Sequence, residues 1–266
     1  MTPPLPTQWL NSPQASARTA LACLDLTSLG NADTEADIAA LCQRAQSPFG
    51  PVAAVCVWPR LAAFARAHLP ASIAVAAVAN FPHGDTDIDA AVRDTLQIVQ
   101  AGAQEVDVVL PYRSLMAGDD RAVTDLLTAV RNACPGLLLK VILETGELKT
   151  PALIERACQL SLDAGADFLK TSTGKTPVSA TLEAARILLG AIAASPTART
   201  RVGFKASGGI RTVADAAAYL ALTQELLGAQ AMAPQRFRIG ASSLLNDIEA
   251  VLSGRSAGTA TTAGTY

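Results

Sequence analysis

Eight short apolar runs, each followed by a stretch of helical periodicity, limit what this chain can fold into. The runs are LACLDL (21–26), AAVCVW (53–58), IAVAAVA (73–79), EVDVVL (105–110), LLLKVIL (137–143), DFLKTS (167–172), RVGFKA (201–206) and RFRIGA (236–241). They are mostly continuous rather than alternating, the pattern of strands buried on both faces of a parallel sheet. Parallel neighbours need crossover connections, and the segments between the runs, from TEADIAALCQRAQ to TVADAAAYLALTQELLG, repeat apolar residues at helical spacing. SSLLNDIEAVLSG adds an eighth such segment after the last run. Asp33 or Thr34 is placed to cap the first helix and Thr212 the seventh; glycines in QAGAQE and DAGADF stop helices before runs four and six. Eight strand–helix units in 266 residues predict an α/β fold, a single-domain (β/α)8 TIM barrel. A doubly wound open sheet is the alternative, weakened by the lack of G-x-G-x-x-G after the first run. The barrel is expected over 16–253, between a Pro-rich tail (1–15) and a Gly/Ala/Thr-rich tail (254–266).

Composition narrows the function. Half of the residues are hydrophobic and 17% are charged, and the net charge of −2 argues against a nucleic-acid surface. No run approaches the roughly 18 apolar residues of a membrane span. The opening MTPPLPTQW has three prolines and no basic region, unlike a signal peptide. The five cysteines are scattered, with no C-x-x-C, and read as reduced core thiols. These features predict a cytoplasmic protein. With only His68 and His83, a histidine metal site or a Ser-His-Asp triad has little material.

The chemistry gathers on lysine. There are five lysines against sixteen arginines, and three of the five, Lys140, Lys170 and Lys205, fall inside apolar runs. An arginine stays protonated, whereas a buried lysine beside another cation can lose its proton and become a nucleophile. Lys170 and Lys205 stand on strands six and seven, so one can be the amine and the other its perturbant. An amine that condenses with a carbonyl gives an imine, an electron sink for making or breaking the adjacent C–C bond. Asp107, on strand four, is positioned to relay protons. The bland alternative is a buried Lys–Asp ion network, in which three lysines against one or two carboxylates would leave excess positive charge. Other groups expected at strand ends are Asp25, Thr27, Cys56, Asn80, Glu144 and Thr173.

A second constellation suits phosphate. Ser207-Gly208-Gly209-Ile210-Arg211 follows strand seven, and Gly240-Ala241-Ser242-Ser243 ends strand eight at a helix start. Glycines admit backbone N–H groups to an anion, and a helix N-terminus favours negative charge. Gly174 and Lys175 close the third side.

The segments LDLTSL, VCVWPR, NFPHG, EVDVVLPYRSLMAG, LLKVILETGELK, GADFLKTSTGK, GFKASGGIRT and FRIGASSLL, spanning about 21–252, closely resemble the deoxyribose-phosphate aldolase family of class I (Schiff-base) aldolases. The resemblance implies cleavage of 2-deoxy-D-ribose 5-phosphate to glyceraldehyde 3-phosphate and acetaldehyde, with no metal or organic cofactor. It assigns the Schiff base to Lys170, the pKa-lowering lysine to Lys205 and the proton relay to Asp107. It puts phosphate contacts on Gly174, Lys175, Gly208, Gly209, Ser242 and Ser243. Substrate contacts are expected from Asp25, Thr27, Cys56, Lys140 and Thr173, and a terminal tyrosine, here Tyr266, is implied to visit the active site. The expected partners are a phosphosugar and aldehydes, with a possible homodimer and neither nucleic acid nor membrane. One departure stands out. Part of the family reads F-K-P-A-G-G where this chain has Phe204-Lys205-Ala206-Ser207-Gly208-Gly209. Rival readings are a non-catalytic phosphosugar-binding barrel and a Schiff-base aldolase using a longer keto donor.

Overall fold

Each of the eight runs contains a strand: β1 Leu24–Thr27, β2 Ala54–Val57, β3 Ala74–Ala79, β4 Glu105–Val109, β5 Leu138–Ile142, β6 Phe168–Lys170, β7 Gly203–Ser207 and β8 Phe237–Ala241. The protein is seen in a computed structural model that describes residues 12–254. The strands are parallel and pair in chain order, and β8 pairs with β1 to close the barrel. The expected (β/α)8 architecture is therefore present, and the open-sheet alternative is excluded.

The helices follow the sequence signals. Thr34 caps Glu35–Arg44 and Thr212 caps Val213–Leu227, each with a reciprocal capping box through Asp37 and Asp215. Gly102 and Gly165 take positive φ, 71° and 82°, where the chain leaves a helix for β4 and β6. One helix was not anticipated. Pro13–Ala22 begins inside the segment expected as a tail, with the Ser12 side chain capping it and proline in its first turn. Ser-Pro ahead of an alanine-rich stretch is a legible start signal. This helix packs against Val213–Leu227 and Leu244–Leu252.

Strand alternation divides the barrel into two environments. Leu24, Val55, Val75, Val106, Leu139, Leu169, Phe204 and Ile239 belong to the main core with Ile38, Leu61, Ile98, Leu126, Leu188 and Leu220 of the helices. The residues between them face the interior. On β2 and β3 these are small, Cys56, Ala76 and Val78, which form a separate cluster with Leu29. On the other strands they include charged side chains, with Phe168 beside them under Arg238. Asp25, Glu105, Asp107, Lys140, Lys170, Lys205 and Arg238 are all buried. Small side chains on one wall leave room for the long ones opposite.

Candidate active site

Register brings the ionic residues together. Asp107 pairs with Lys140 across β4 and β5, Lys170 with Lys205 across β6 and β7, and Lys205 with Arg238 across β7 and β8. Parallel register partners project to the same face, so the heads converge. Lys170 Nζ lies 2.8 Å from Asp107 Oδ2, and Lys205 Nζ lies 2.7 Å from the same oxygen. Lys205 also donates to Asp25 Oδ2. Lys140 Nζ donates to Asp107 Oδ1 at 2.7 Å and to Glu105 Oε2 at 2.5 Å. Below them Arg238 grips Glu105 with both Nη atoms, at 2.6 and 3.1 Å, and Asp25 Oδ1 at 2.6 Å.

The contacts rank the lysines. Lys140 has two carboxylate hydrogen bonds, Lys205 has two and Lys170 has one. Lys170 is also the only one whose side chain keeps any exposure, 3% against none for the others. Burial pushes the Lys170 ammonium below its ordinary value; Asp107 resists and Lys205 adds to the fall. For Lys205 burial works the same way, but Asp107 and Asp25 outweigh it and hold the charge. Lys140 is likewise kept charged against burial, by Asp107 and Glu105. Burial opposes ionisation of Asp107, yet three lysines overcome it and hold the carboxyl well below its usual range.

Three of the expected substrate contacts lie deep in the barrel interior. Asp25, Cys56 and Lys140 are wholly buried, with no surface toward the barrel mouth. Both Asp25 oxygens are taken by cations, the Lys140 ammonium is engaged by Glu105 and Asp107, and Cys56 Sγ faces Asp107 Oδ2 at 4.0 Å. Thr27 and Thr173 do reach the mouth. They line a cavity of about 440 Å3 with Gly174, Lys175, Gly208, Gly209, Ser242 and Ser243, which gathers all six expected phosphate positions. Arg211 joins them, and Asp33 is an acid on the same wall, its carboxylate already accepting from Ser28 Oγ and Gly30 N. Ser243 is the N-cap of Leu244–Leu252 with no side-chain capping bond, so that helix start is not closed by its own hydroxyl. Gly208 has φ 85°, and a Cβ there would stand 2.6 Å from Ser179 Cβ. Lys175 Nζ leans across to Leu29 O at 2.8 Å. Tyr266 lies outside the described residues. A wider groove, about 1030 Å3, lies among Pro151, Leu182, Ile187 and Leu222 on the outer helices and contains none of the barrel lysines.

Sequence reasoning missed Glu105, Arg238 and the part Glu144 plays. Glu105 and Arg238 complete the ion network, so the bland alternative and the reactive one coexist: three carboxylates face four cations. Glu144, in the left-handed region at φ 55°, accepts from Thr173 N and from the hydroxyls of Thr173 and Thr176. Thr173 Oγ1 in turn accepts from Lys175 N at 3.0 Å. A buried carboxylate thus holds the loop between Lys170 and the cavity. Burial raises its pKa, and the threonine donors partly offset that rise. The i, i+2 spacing of Glu105 and Asp107 was the available signal, since both must face the same side of β4.

Comparison with known proteins follows from this geometry. The family model described as DeoC/LacD family aldolase matches residues 19–250. The chain belongs to the DeoC/LacD aldolase family. A curated relative from Agrobacterium fabrum, a deoxyribose-phosphate aldolase, is 49% identical over 93% of this chain and 96% of its own length. Among solved structures, the aldolase QR15 is 29% identical with a TM-score of 0.74, covering 88% of this chain and 96% of that one. The tetrameric deoxyribose phosphate aldolase of Aeropyrum pernix is 26% identical with a TM-score of 0.69, covering 92% and 94%. The protein is accordingly an enzyme, a lyase of the aldolase kind. No helix among the described residues is long and apolar enough to cross a membrane.

Proposed function

We propose that this aldolase reversibly cleaves 2-deoxy-D-ribose 5-phosphate to D-glyceraldehyde 3-phosphate and acetaldehyde, with Lys170 as the Schiff-base nucleophile. One observation carries the reading. Lys170 shares its single carboxylate oxygen with a lysine that stays charged, in a cluster with four cations and three carboxylates. One positive charge lacks a partner, and the least-held proton is the one on Lys170. An exposed lysine would be neutral in only about one molecule in a few thousand at pH 7; this setting makes the amine available.

The steps are those of an imine-assisted aldol cleavage. The Lys170 amine adds to the C1 aldehyde of the open-chain sugar, and loss of water leaves an iminium. A proton leaves the C3 hydroxyl, the C2–C3 bond breaks, and its electron pair enters the iminium to give an enamine. Glyceraldehyde 3-phosphate departs; protonation of the enamine carbon and hydrolysis then release acetaldehyde and free Lys170. Asp107 is assigned the proton relay. Three ammonium donors make it a weak base at rest, and it is the carboxylate within hydrogen-bond reach of Lys170, at 2.8 Å. Lys205 stays charged and perturbs Lys170. The cavity holds the phosphate through the backbone of Gly174, Gly208 and Gly209, the Ser242–Ser243 helix start, and Lys175. Thr27 and Thr173 are substrate contacts on its rim, and Tyr266 assists enamine protonation. The proposed setting is the cytoplasm, with a homodimer as the assembly to seek by sedimentation.

Borohydride reduction in the presence of acetaldehyde, followed by peptide mass spectrometry, tests the reading. An ethyl adduct on Lys170 with turnover of the phosphosugar is the expected result. No adduct would leave a binding barrel, and trapping with dihydroxyacetone or pyruvate but not acetaldehyde would move the enzyme to a longer donor.

A further inference from the structure

Arg238 and Glu105 sit beneath the reacting lysine and touch neither it nor the mouth cavity. Arg238 is 5% exposed and Glu105 1%. Arg238 is anchored by Nε to Pro234 O at 2.5 Å and by its two Nη atoms to Glu105 and Asp25, and its guanidinium lies 5.7 Å over the Phe168 ring. Such a construction is expensive to bury, and an apolar filling would serve a barrel at least as well. Its presence asks for a reason beyond packing.

We propose that Arg238 and Glu105 are positioning residues that set the charge count of the barrel interior and so keep Lys170 short of carboxylate partners. This rests on the Schiff-base reading of Lys170 given above. Arg238 occupies one oxygen of Asp25 and both oxygens of Glu105. The lysines above must then lean on Asp107, whose Oδ1 serves Lys140 and whose Oδ2 serves Lys205 and Lys170 together. Without Arg238, three lysines would face three carboxylates. Lys140 and Lys205 would draw more on Glu105 and Asp25, and Asp107 would be freed to hold a proton on Lys170. Without Glu105, four cations would face two carboxylates and Lys170 would be deprived further.

The charged and titratable groups that bear on Lys170, directly or through Asp107 and Lys205, come from several strands. Asp107 and Glu105 come from β4, Lys140 from β5, Lys205 from β7 and Asp25 from β1; Cys56 comes from β2 and Glu144 from the turn after β5. Only Arg238 is a cation that cannot be discharged. The excess therefore has to be relieved on a lysine, and Lys170, with one hydrogen-bonded carboxylate, is the one that yields.

Two substitutions should move the enzyme in opposite directions. The rate of imine trapping at Lys170 is measured against pH with acetaldehyde and borohydride. In Arg238→Met the acid limb should move up by about one pH unit or more, so the rate at pH 7 falls about tenfold. In Glu105→Gln it should move down. The double variant Arg238→Met/Glu105→Gln restores one excess cation and should return the limb to the wild-type position. If Arg238→Met does not fold, Glu105→Gln against the double variant decides. Opposite shifts with restoration in the double variant support the proposal. Shifts of the same sign, or losses of rate with no movement of the limb, overturn it and leave a structural pair. Failure of the wild-type protein to trap at Lys170 would instead overturn the Schiff-base reading.

Discussion

Lys170 and Lys205 are register partners on adjacent strands, and their ammonium nitrogens share one oxygen, Asp107 Oδ2, at 2.8 and 2.7 Å. One carboxylate oxygen cannot satisfy two cations as well as it satisfies one. The second lysine has a further anchor in Asp25, and the first does not. The asymmetry assigns different behaviour to two residues that read alike in sequence.

Replacing Lys170 should abolish activity and improve stability. Lys170→Arg keeps a cation and loses imine chemistry, so turnover should disappear with the fold intact. Lys170→Met removes the charge that the cluster cannot match. The folded-state pKa of Lys170 lies below the unfolded one. That depression costs stability in full below the folded value, and the cost vanishes as pH rises through the unfolded value, about 10.4. Each unit of depression is worth about 1.4 kcal/mol, and each kcal/mol is about 2–4 °C in a chain of this size. Lys170→Met should therefore melt a few degrees higher at pH 7, with a smaller gain near pH 10. Calorimetry at the two pH values checks it; a lower Tm at pH 7 sinks the argument.

Lys205 should act on pH dependence rather than on bond formation. Removing its charge in Lys205→Met lets the Lys170 pKa rise, so the acid limb of the rate profile moves toward higher pH. Activity at pH 7 should fall by orders of magnitude and recover in part as pH nears about 10.4. The variant also removes the Lys205 hydrogen bonds to Asp25 and Asp107, so rates must be normalised to folded protein. An adduct mapping to Lys205 in the wild type would exchange the two roles.

Much of this was legible in the sequence because the barrel writes its strands as continuous apolar runs. A charged residue inside such a run is conspicuous, as Lys140, Lys170, Lys205 and Asp107 were. The lining of the mouth cavity was legible for a different reason, since glycine pairs and a Ser-Ser helix start appear as local patterns. Arg238 was less so, because its run, RFRIGA, opens with two arginines and one arginine among sixteen gives no warning that it is the buried one. Glu105 looked like the first residue of its strand. Which lysine holds which carboxylate depends on register and depth, and neither is a local property. Depth likewise separates Asp25, Cys56 and Lys140 from Thr27 and Thr173, which line the mouth cavity.

The cavity predicts a preference for phosphorylated substrate. Ser242→Glu with Ser243→Glu places two carboxylates at the start of Leu244–Leu252, where backbone N–H groups would meet the dianion. KM for 2-deoxyribose 5-phosphate should rise by at least about tenfold, the order of one lost charge-assisted contact. KM for 2-deoxyribose should change little. Equal effects on the two sugars would place the phosphate elsewhere.

Tyr266 lies beyond the described residues, and its role is tested without a position. If its hydroxyl assists protonation of the enamine carbon, deleting it should slow exchange of acetaldehyde methyl protons with solvent deuterium. Borohydride trapping at Lys170 should be unaffected. Parallel losses in exchange and trapping would instead indicate a general effect of shortening the chain.

Gly240 connects the wall of the mouth cavity to the lysine cluster. It is the register partner of Ser207 on β7 and of Asp25 on β1. A Cβ at this position would stand 2.6 Å from Ser207 Oγ and 3.1 Å from Lys205 Cε. The hydroxyl can rotate away; the lysine stem is fixed by its two carboxylates and has less freedom. Gly240→Ala should therefore destabilise the fold by about 1–3 kcal/mol, as overpacking does, and displace Lys205 from Asp25 and Asp107. Adding Ser207→Gly relieves the nearer contact and not the farther one. The double variant should thus recover most of the lost Tm while the rate of imine trapping at Lys170 stays low. Recovery of stability and rate together would mean that the contact with Ser207 is the whole effect, and that Gly240 does not keep space for the Lys205 stem.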